Sequence, residues 1–192
     1  MPPNRSLVLL ASALAVVGPL GACSSSDDAA PPTTRAQMTF QTTPPEATRL
    51  GVCASFTTAQ MQDLLGGKKV GPALPEAIEE AGGAVTGESC SWELDGAGDS
   101  SRSVRIEARD YGSDTAALTT RFDELKAATP DATDLPGIDD AAFSASSDEA
   151  SVVQVRLRQY LLTASSRGTG KLAPLTAAEL GVLLGTTFEK LP

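Results

Sequence analysis

Residues 89–110, SCSWELDGAGDSSRSVRIEARD, carry the pattern that decides the fold. In the closing run, RSVRIEARD, an apolar side chain at every second position alternates with a charged one, as in a strand with one buried face. The opening run, SCSWELD, indicates a second strand, and the DGAGDSS between them has the composition of a turn. The stretch therefore predicts a β-hairpin with one dry face and one face in water.

Four segments around this hairpin have helical patterns. Two begin with capping boxes, at Thr57 and at Thr176, and continue with leucines at helical spacing. Residues 113–128 repeat apolar side chains at helical spacing and end before Pro130. Residues 75–82, PEAIEEAG, predict a further short helix that opens on a proline.

Strand patterns return in the second half of the chain, in residues 141–146 and 151–165. The second run is long for one strand, and the sequence leaves open whether it is a single strand or a hairpin that reverses near 156–159. Hairpins joined by helices favour an antiparallel sheet. We therefore expect residues 48–192 to form one α+β domain, with an antiparallel sheet of about four to five strands and helices packed mainly on one face.

The first residues have the organisation of a bacterial lipoprotein signal. Arg5 is followed by an apolar run over residues 6–20, too short to span a bilayer comfortably, and then by the sequence LGAC. Those four residues resemble the lipobox, in which the cysteine thiol is acylated before the signal is cut. We expect residues 1–22 to be removed and Cys23 to anchor the protein in the membrane. An ordinary secretory signal and a retained transmembrane anchor are the alternatives.

A tether is expected between the anchor and the domain. After Cys23, the chain up to residue 47 is rich in Ser, Thr, Pro and Ala and has few large apolar residues. Such a composition cannot bury enough surface to offset the entropy of ordering the backbone. Residues 23–47 are therefore predicted to be an acylated cysteine and a disordered tether, with a reach of roughly 25–30 Å.

The remaining two cysteines, Cys53 and Cys90, form an even pair in a chain expected outside the cytoplasm. A disulfide is the favoured interpretation, and two free thiols are the alternative. A zinc site needs about four nitrogen or sulfur ligands, and the chain has three cysteines and no histidine, so no metal or cofactor is expected. Trp92 lies on the same strand face as Cys90, and we expect its indole to pack against the bridge rather than to bind a ligand.

The combination of motifs resembles a known family. Five motifs occur together in this chain. They are the lipobox, the Ser/Thr/Pro tether, a cysteine before a capped Leu-Leu helix, Cys-x-Trp on a strand, and the turn sequence LPGIDDAAF at 135–143. Together they are similar to the actinobacterial, mycobacterial-type cell-envelope lipoproteins catalogued as a domain of unknown function. The resemblance implies an extracytoplasmic, membrane-anchored domain and brings no catalytic residues with it.

Composition restricts the chemistry further. The absence of histidine excludes Ser-His-Asp and Cys-His catalysis, and no serine lies in a Gly-x-Ser-x-Gly motif. The formal charge of −9 argues against a nucleic-acid partner. Paired carboxylates could serve as acid and base, although each pair is more typical of a solvated turn; the pairs are Asp139–Asp140, Asp131/Asp134, Glu79–Glu80 and Asp148–Glu149.

Asp134, Asp139 and Asp140 could in principle bind a calcium ion, but the spacing of an EF-hand is missing.

From the anchor, the composition and the missing catalytic motifs, we expect a non-enzymatic binding or accessory module of the cell envelope, whose partner is an envelope protein or a small apolar ligand. The alternative is a hydrolase that uses carboxylates or serine without histidine.

Overall fold

The computed structural model describes residues 50–79, 85–97, 99–138 and 140–192. A short 3₁₀ turn at Cys53–Ser55 comes first. The helices are α1 (Thr58–Leu64), α2 (Thr115–Ala128) and α3 (Ala177–Phe188). The strands are β1 (Leu74–Glu79), β2 (Thr86–Ala97), β3 (Ser100–Asp110), β4 (Thr133–Asp134), β5 (Ala141–Ser146), β6 (Ala150–Leu157) and β7 (Tyr160–Gly168).

All seven strands form one antiparallel sheet, in the order β1-β2-β3-β7-β6-β5-β4. The predicted hairpin lies next to the middle strand of the sheet: β2 pairs with β3, and β3 pairs with the central β7. The α+β class and the antiparallel sheet are confirmed. The strand count of four to five is too low, because it missed β1 and the two-residue β4.

The predicted helix at 75–82 is wrong, since β1 occupies most of this segment. All six residues of β1 pair with β2, from Leu74 opposite Ser91 to Glu79 opposite Thr86. An isolated helix of eight residues has little stability of its own. Pairing with an adjacent strand therefore outweighs the local preference, and Pro75 is tolerated because β1 is an edge strand.

The long run at 151–165 is a hairpin. β6 and β7 pair from Leu157 opposite Tyr160 outward. The two-residue turn between them contains Arg158 at a φ of 55°, and this left-handed conformation suits the tight turn of a hairpin. The reversal lies within the stretch 156–159 that the sequence left open.

The helices lie on both faces of the sheet. α1 and α3 pack on the face that carries Trp92, Ile106 and Leu162, which belong to the main core. Phe143 and Leu161 point to the other face, where they pack with Leu118 and Phe122 of α2 in a smaller core. Two of the three helices share one face, and α2 covers only one end of the other.

A disulfide and a buried carboxylate hold the segment before α1 against the main core. Cys53 and Cys90 form a disulfide with a Cα–Cα distance of 5.1 Å, as the sequence favoured. The buried Glu88 carboxylate accepts hydrogen bonds from the backbone N–H groups of Gly51 (2.8 Å) and Cys53 (3.3 Å). Trp92 is buried nearby and meets the ring of Phe56 edge to face, with centroids 5.9 Å apart.

Candidate functional site

Two hollows open at the same end of the sheet, one on each side of the turn between β5 and β6. The larger, about 780 Å³, lies between that turn and the loop 168–177, on the α3 side. The smaller, about 360 Å³, lies on the α2 side, beyond the end of that helix. Both volumes fall within or close to the range that small-molecule sites occupy in proteins.

The loop that walls the larger hollow is held firmly to the sheet. The Ser151 hydroxyl donates to the Leu175 carbonyl, and the Leu175 N–H donates to the Ser166 hydroxyl at 3.0 Å. The Arg102 Nε donates to the Ala173 carbonyl at 2.7 Å. The loop also packs so closely on Gly168 that a Cβ there would overlap its backbone. The larger hollow is therefore bounded by a loop that several hydrogen bonds attach to the sheet.

The polar groups in the larger hollow have mixed charge. Asp148, Glu149 and Lys171 line it together with several hydroxyl groups. Among these, the Ser147 hydroxyl accepts a hydrogen bond from the Ala150 N–H at 3.1 Å, so it stabilises the β5–β6 turn. An arrangement of this kind can bind a polar ligand through backbone and hydroxyl groups.

The smaller hollow has a floor of small side chains. Ala145, Val152 and Ser165 are register neighbours on β5, β6 and β7 and point to the face that α2 leaves uncovered. The turn 129–131 forms one wall, and Arg167 of β7 lines the opposite side. Ala and Ser occupy little volume on a sheet face, which leaves room for a ligand at this position.

The rest of this uncovered face carries paired charges. Arg105 contacts Glu76 at 2.8 Å and Glu107 at 2.7 Å, and Arg109 contacts Glu107 at 3.4 Å. Burial would lower the pKa of Arg105, but the hydrogen bonds from its guanidinium to Glu107 and Glu76 outweigh burial and raise it. The positive charges of the two arginines are therefore neutralised by the two glutamates that they contact.

Two of the carboxylate pairs predicted from the sequence have both members in described residues and lie inside or next to a hollow: Asp131 and Asp134 have separate surroundings, whereas Asp148 and Glu149 line the same hollow. Asp134 forms an ion pair with Lys126 at 2.5 Å, and Asp140 accepts from the backbone N–H of Arg158 at 2.5 Å. Asp131 lines the smaller hollow, whereas Asp148 and Glu149 line the larger one.

Other predicted residues lie elsewhere. Glu79 ends β1 at the sheet edge, and Glu80, Asp139 and the lipidation candidate Cys23 lie outside the described residues. Within the described ranges, no group of three or more acidic or cysteine side chains is placed to hold a metal ion. No described helix is both long and apolar enough to cross a bilayer.

Comparisons with protein-family models, with curated proteins and with solved structures find no match to this chain. The resemblance to actinobacterial envelope lipoproteins therefore stays a prediction from the motifs. The sequence did not predict the two hollows or the position of Arg167 beside the smaller one. The hollows form only where the β5–β6 turn, the end of α2 and the loop 168–177 come together. The available signal was the run of serines at the ends of β5 to β7.

Proposed function

We propose that this protein is a membrane-anchored, extracytoplasmic binding module of the cell envelope, related to the actinobacterial lipoproteins that its motifs resemble. Cys23 is the acylated residue in this proposal. A chain with a lipobox and an even cysteine pair is suited to an oxidising compartment, and the Cys53–Cys90 disulfide supports that location.

The observation that carries the binding role is the pair of hollows at one end of the sheet. They lie at the β5–β6 turn, whereas the described chain begins at Leu50, beside Glu88 near the other end of the strands. Glu88 pairs across the sheet with Ala108, which in turn pairs with Leu162 of β7. Leu162 precedes Arg167 by five residues along β7. A strand rises about 3.3 Å per residue. The hollows thus lie roughly 15 Å along the strands from the segment that Glu88 binds, and in this proposal they are the surface that binds an envelope partner.

The alternative hydrolase would need a free serine with a base or a pair of carboxylates. Asp148 and Glu149 line the larger hollow, but both belong to the β5–β6 turn that Ser147 stabilises. In the larger hollow, Ser147 and Ser151 use their hydroxyl groups to hold the turn and the loop 168–177, and a serine nucleophile needs an adjacent general base. We therefore retain binding as the one proposed role of both hollows.

Anchoring is tested by Cys23→Ser in the full-length protein expressed in an actinobacterial host. We expect the wild-type protein in the membrane fraction and the variant unprocessed or released. Unchanged lipid labelling and unchanged membrane partition of the variant would refute the anchor.

Binding is tested by replacing Lys171, in the larger hollow, with a photo-crosslinking amino acid. The same replacement at Glu189, an exposed residue directly after α3, is the matched control. We expect a discrete adduct from position 171 that is absent from position 189. Equal labelling from both positions would argue against the hollow as the binding surface.

A further inference from the structure

The smaller hollow contains an arginine that differs from all the others described. Six arginines contact a carboxylate, a hydroxyl or an aromatic ring: Arg102, Arg105, Arg109, Arg121, Arg156 and Arg158. The side chain of Arg167 has no ion pair, hydrogen bond or ring contact with any described residue. Its guanidinium presents a planar fork of donors that matches a carboxylate in bidentate geometry.

An acidic residue lines the same hollow from the other side. Asp131 follows α2 in the turn that leads to β4, and its carboxylate has no partner among the described residues. β4 and β7 lie on opposite sides of the β5–β6 pair. β4 and β7 are three strand spacings apart, which is about 14 Å at about 4.8 Å per spacing. The side chains of Asp131, which precedes β4, and of Arg167 form no ion pair.

Between these opposite charges, the floor is small and partly apolar. Ala145 and Val152 are half-buried and uncovered by α2. The hydroxyl of Ser165, beside Val152, makes no hydrogen bond to a described group. The hollow therefore offers a cation at one side, an anion at the other, and an apolar surface with one free hydroxyl between them.

We propose that the smaller hollow binds a short zwitterionic peptide, with the terminal carboxylate on Arg167 and the terminal ammonium on Asp131. The proposal rests on the binding role assigned above and names the ligand class of one hollow. Two residues of extended chain span about 7 Å, and the two charged side chains bridge the rest. A net-neutral zwitterion also avoids the repulsion that the acidic protein exerts on simple anions.

The test is calorimetric titration of the full-length acylated protein in detergent with three peptides. Alanyl-leucine carries both termini, N-acetyl-alanyl-leucine lacks the ammonium, and alanyl-leucinamide lacks the carboxylate. We expect saturable binding of alanyl-leucine and at least tenfold weaker binding of each blocked form. Equal affinities for all three peptides, or no saturable binding of alanyl-leucine at millimolar concentration, would overturn the proposal.

Variants assign the two ends. Arg167→Gln is expected to abolish the preference for alanyl-leucine over its amide, and Asp131→Asn the preference over its N-acetyl form. Arg121→Gln, at a partly buried position on α2, and Asp123→Asn, at an exposed one, are the controls and should change neither preference. If Arg167→Gln leaves both preferences intact, the proposal is wrong even where the crosslink at Lys171 and the membrane anchoring hold, so its failure is separable from that of the proposed function.

Discussion

Removing the disulfide should cost the domain a large part of its stability. Cys53 and Cys90 are 37 residues apart, and the loop that they close restricts the unfolded chain. In the chain-entropy model, a loop of this length stabilises the folded state by about 4 kcal/mol. For a domain of this size, that loss lowers the melting temperature by roughly 8–16 °C.

The assay is thermal and urea unfolding of the double variant Cys53→Ala/Cys90→Ala. The double variant leaves no unpaired thiol at either end of the bridge, and wild-type protein in reductant is its matched control. We expect reductant to lower the stability of the wild type to about that of the variant and to leave the variant unchanged. A loss of less than about 1 kcal/mol in the double variant would refute the reasoning, because Glu88 would then hold the segment before α1 without help from the bridge.

Three further predictions concern the same core and α3. Glu88→Ala should lower the free energy of unfolding by about 2–4 kcal/mol in urea titrations, since two backbone N–H groups lose their acceptor, and Glu88→Gln should lose less. Gly181→Ala in α3 should stabilise the domain by about 0.5–1 kcal/mol, because a Cβ there meets nothing within 4 Å. Gly168→Ala should destabilise the domain, because a Cβ there overlaps the backbone of the loop 168–177. Changes of the same sign in the free energy of unfolding of both variants would contradict this reasoning. Burial alone would raise the pKa of Glu179, but hydrogen bonds from Lys68 and from the helix cap outweigh it and hold the pKa below the ordinary 4.5. The stability that this carboxylate contributes is therefore present above pH 4.5 and lost as the pH falls further, and Glu179→Gln should unfold with a weaker dependence on acid than the wild type.

Residues whose signal is local were predictable from the sequence alone. The alternation in β3 fixes which side chains face the core, since a strand has a side-chain period of two. The capping boxes at Thr57 and Thr176 mark the starts of α1 and α3, because their side chains bond to backbone groups three residues away. The pairing of Cys53 with Cys90 followed from counting cysteines once Cys23 was assigned to a lipid anchor.

What the sequence could not supply depends on contacts between distant segments. Residues 75–82 have the composition of a short helix, yet β1 forms there because β2 provides a pairing partner. α2 packs on the face opposite α3 because Phe143 and Leu161 alternate to that side of the sheet.

The candidate site is of the same kind. Arg167 is one of several arginines in the sequence, and only the tertiary structure leaves it without a partner beside a hollow. The amino-acid sequence by itself therefore determined the strand pattern, the helix starts and the cysteine pair, whose causes lie within a few residues or in a simple count. The tertiary structure decided which faces are covered and where space remains, because those depend on how separate elements pack together.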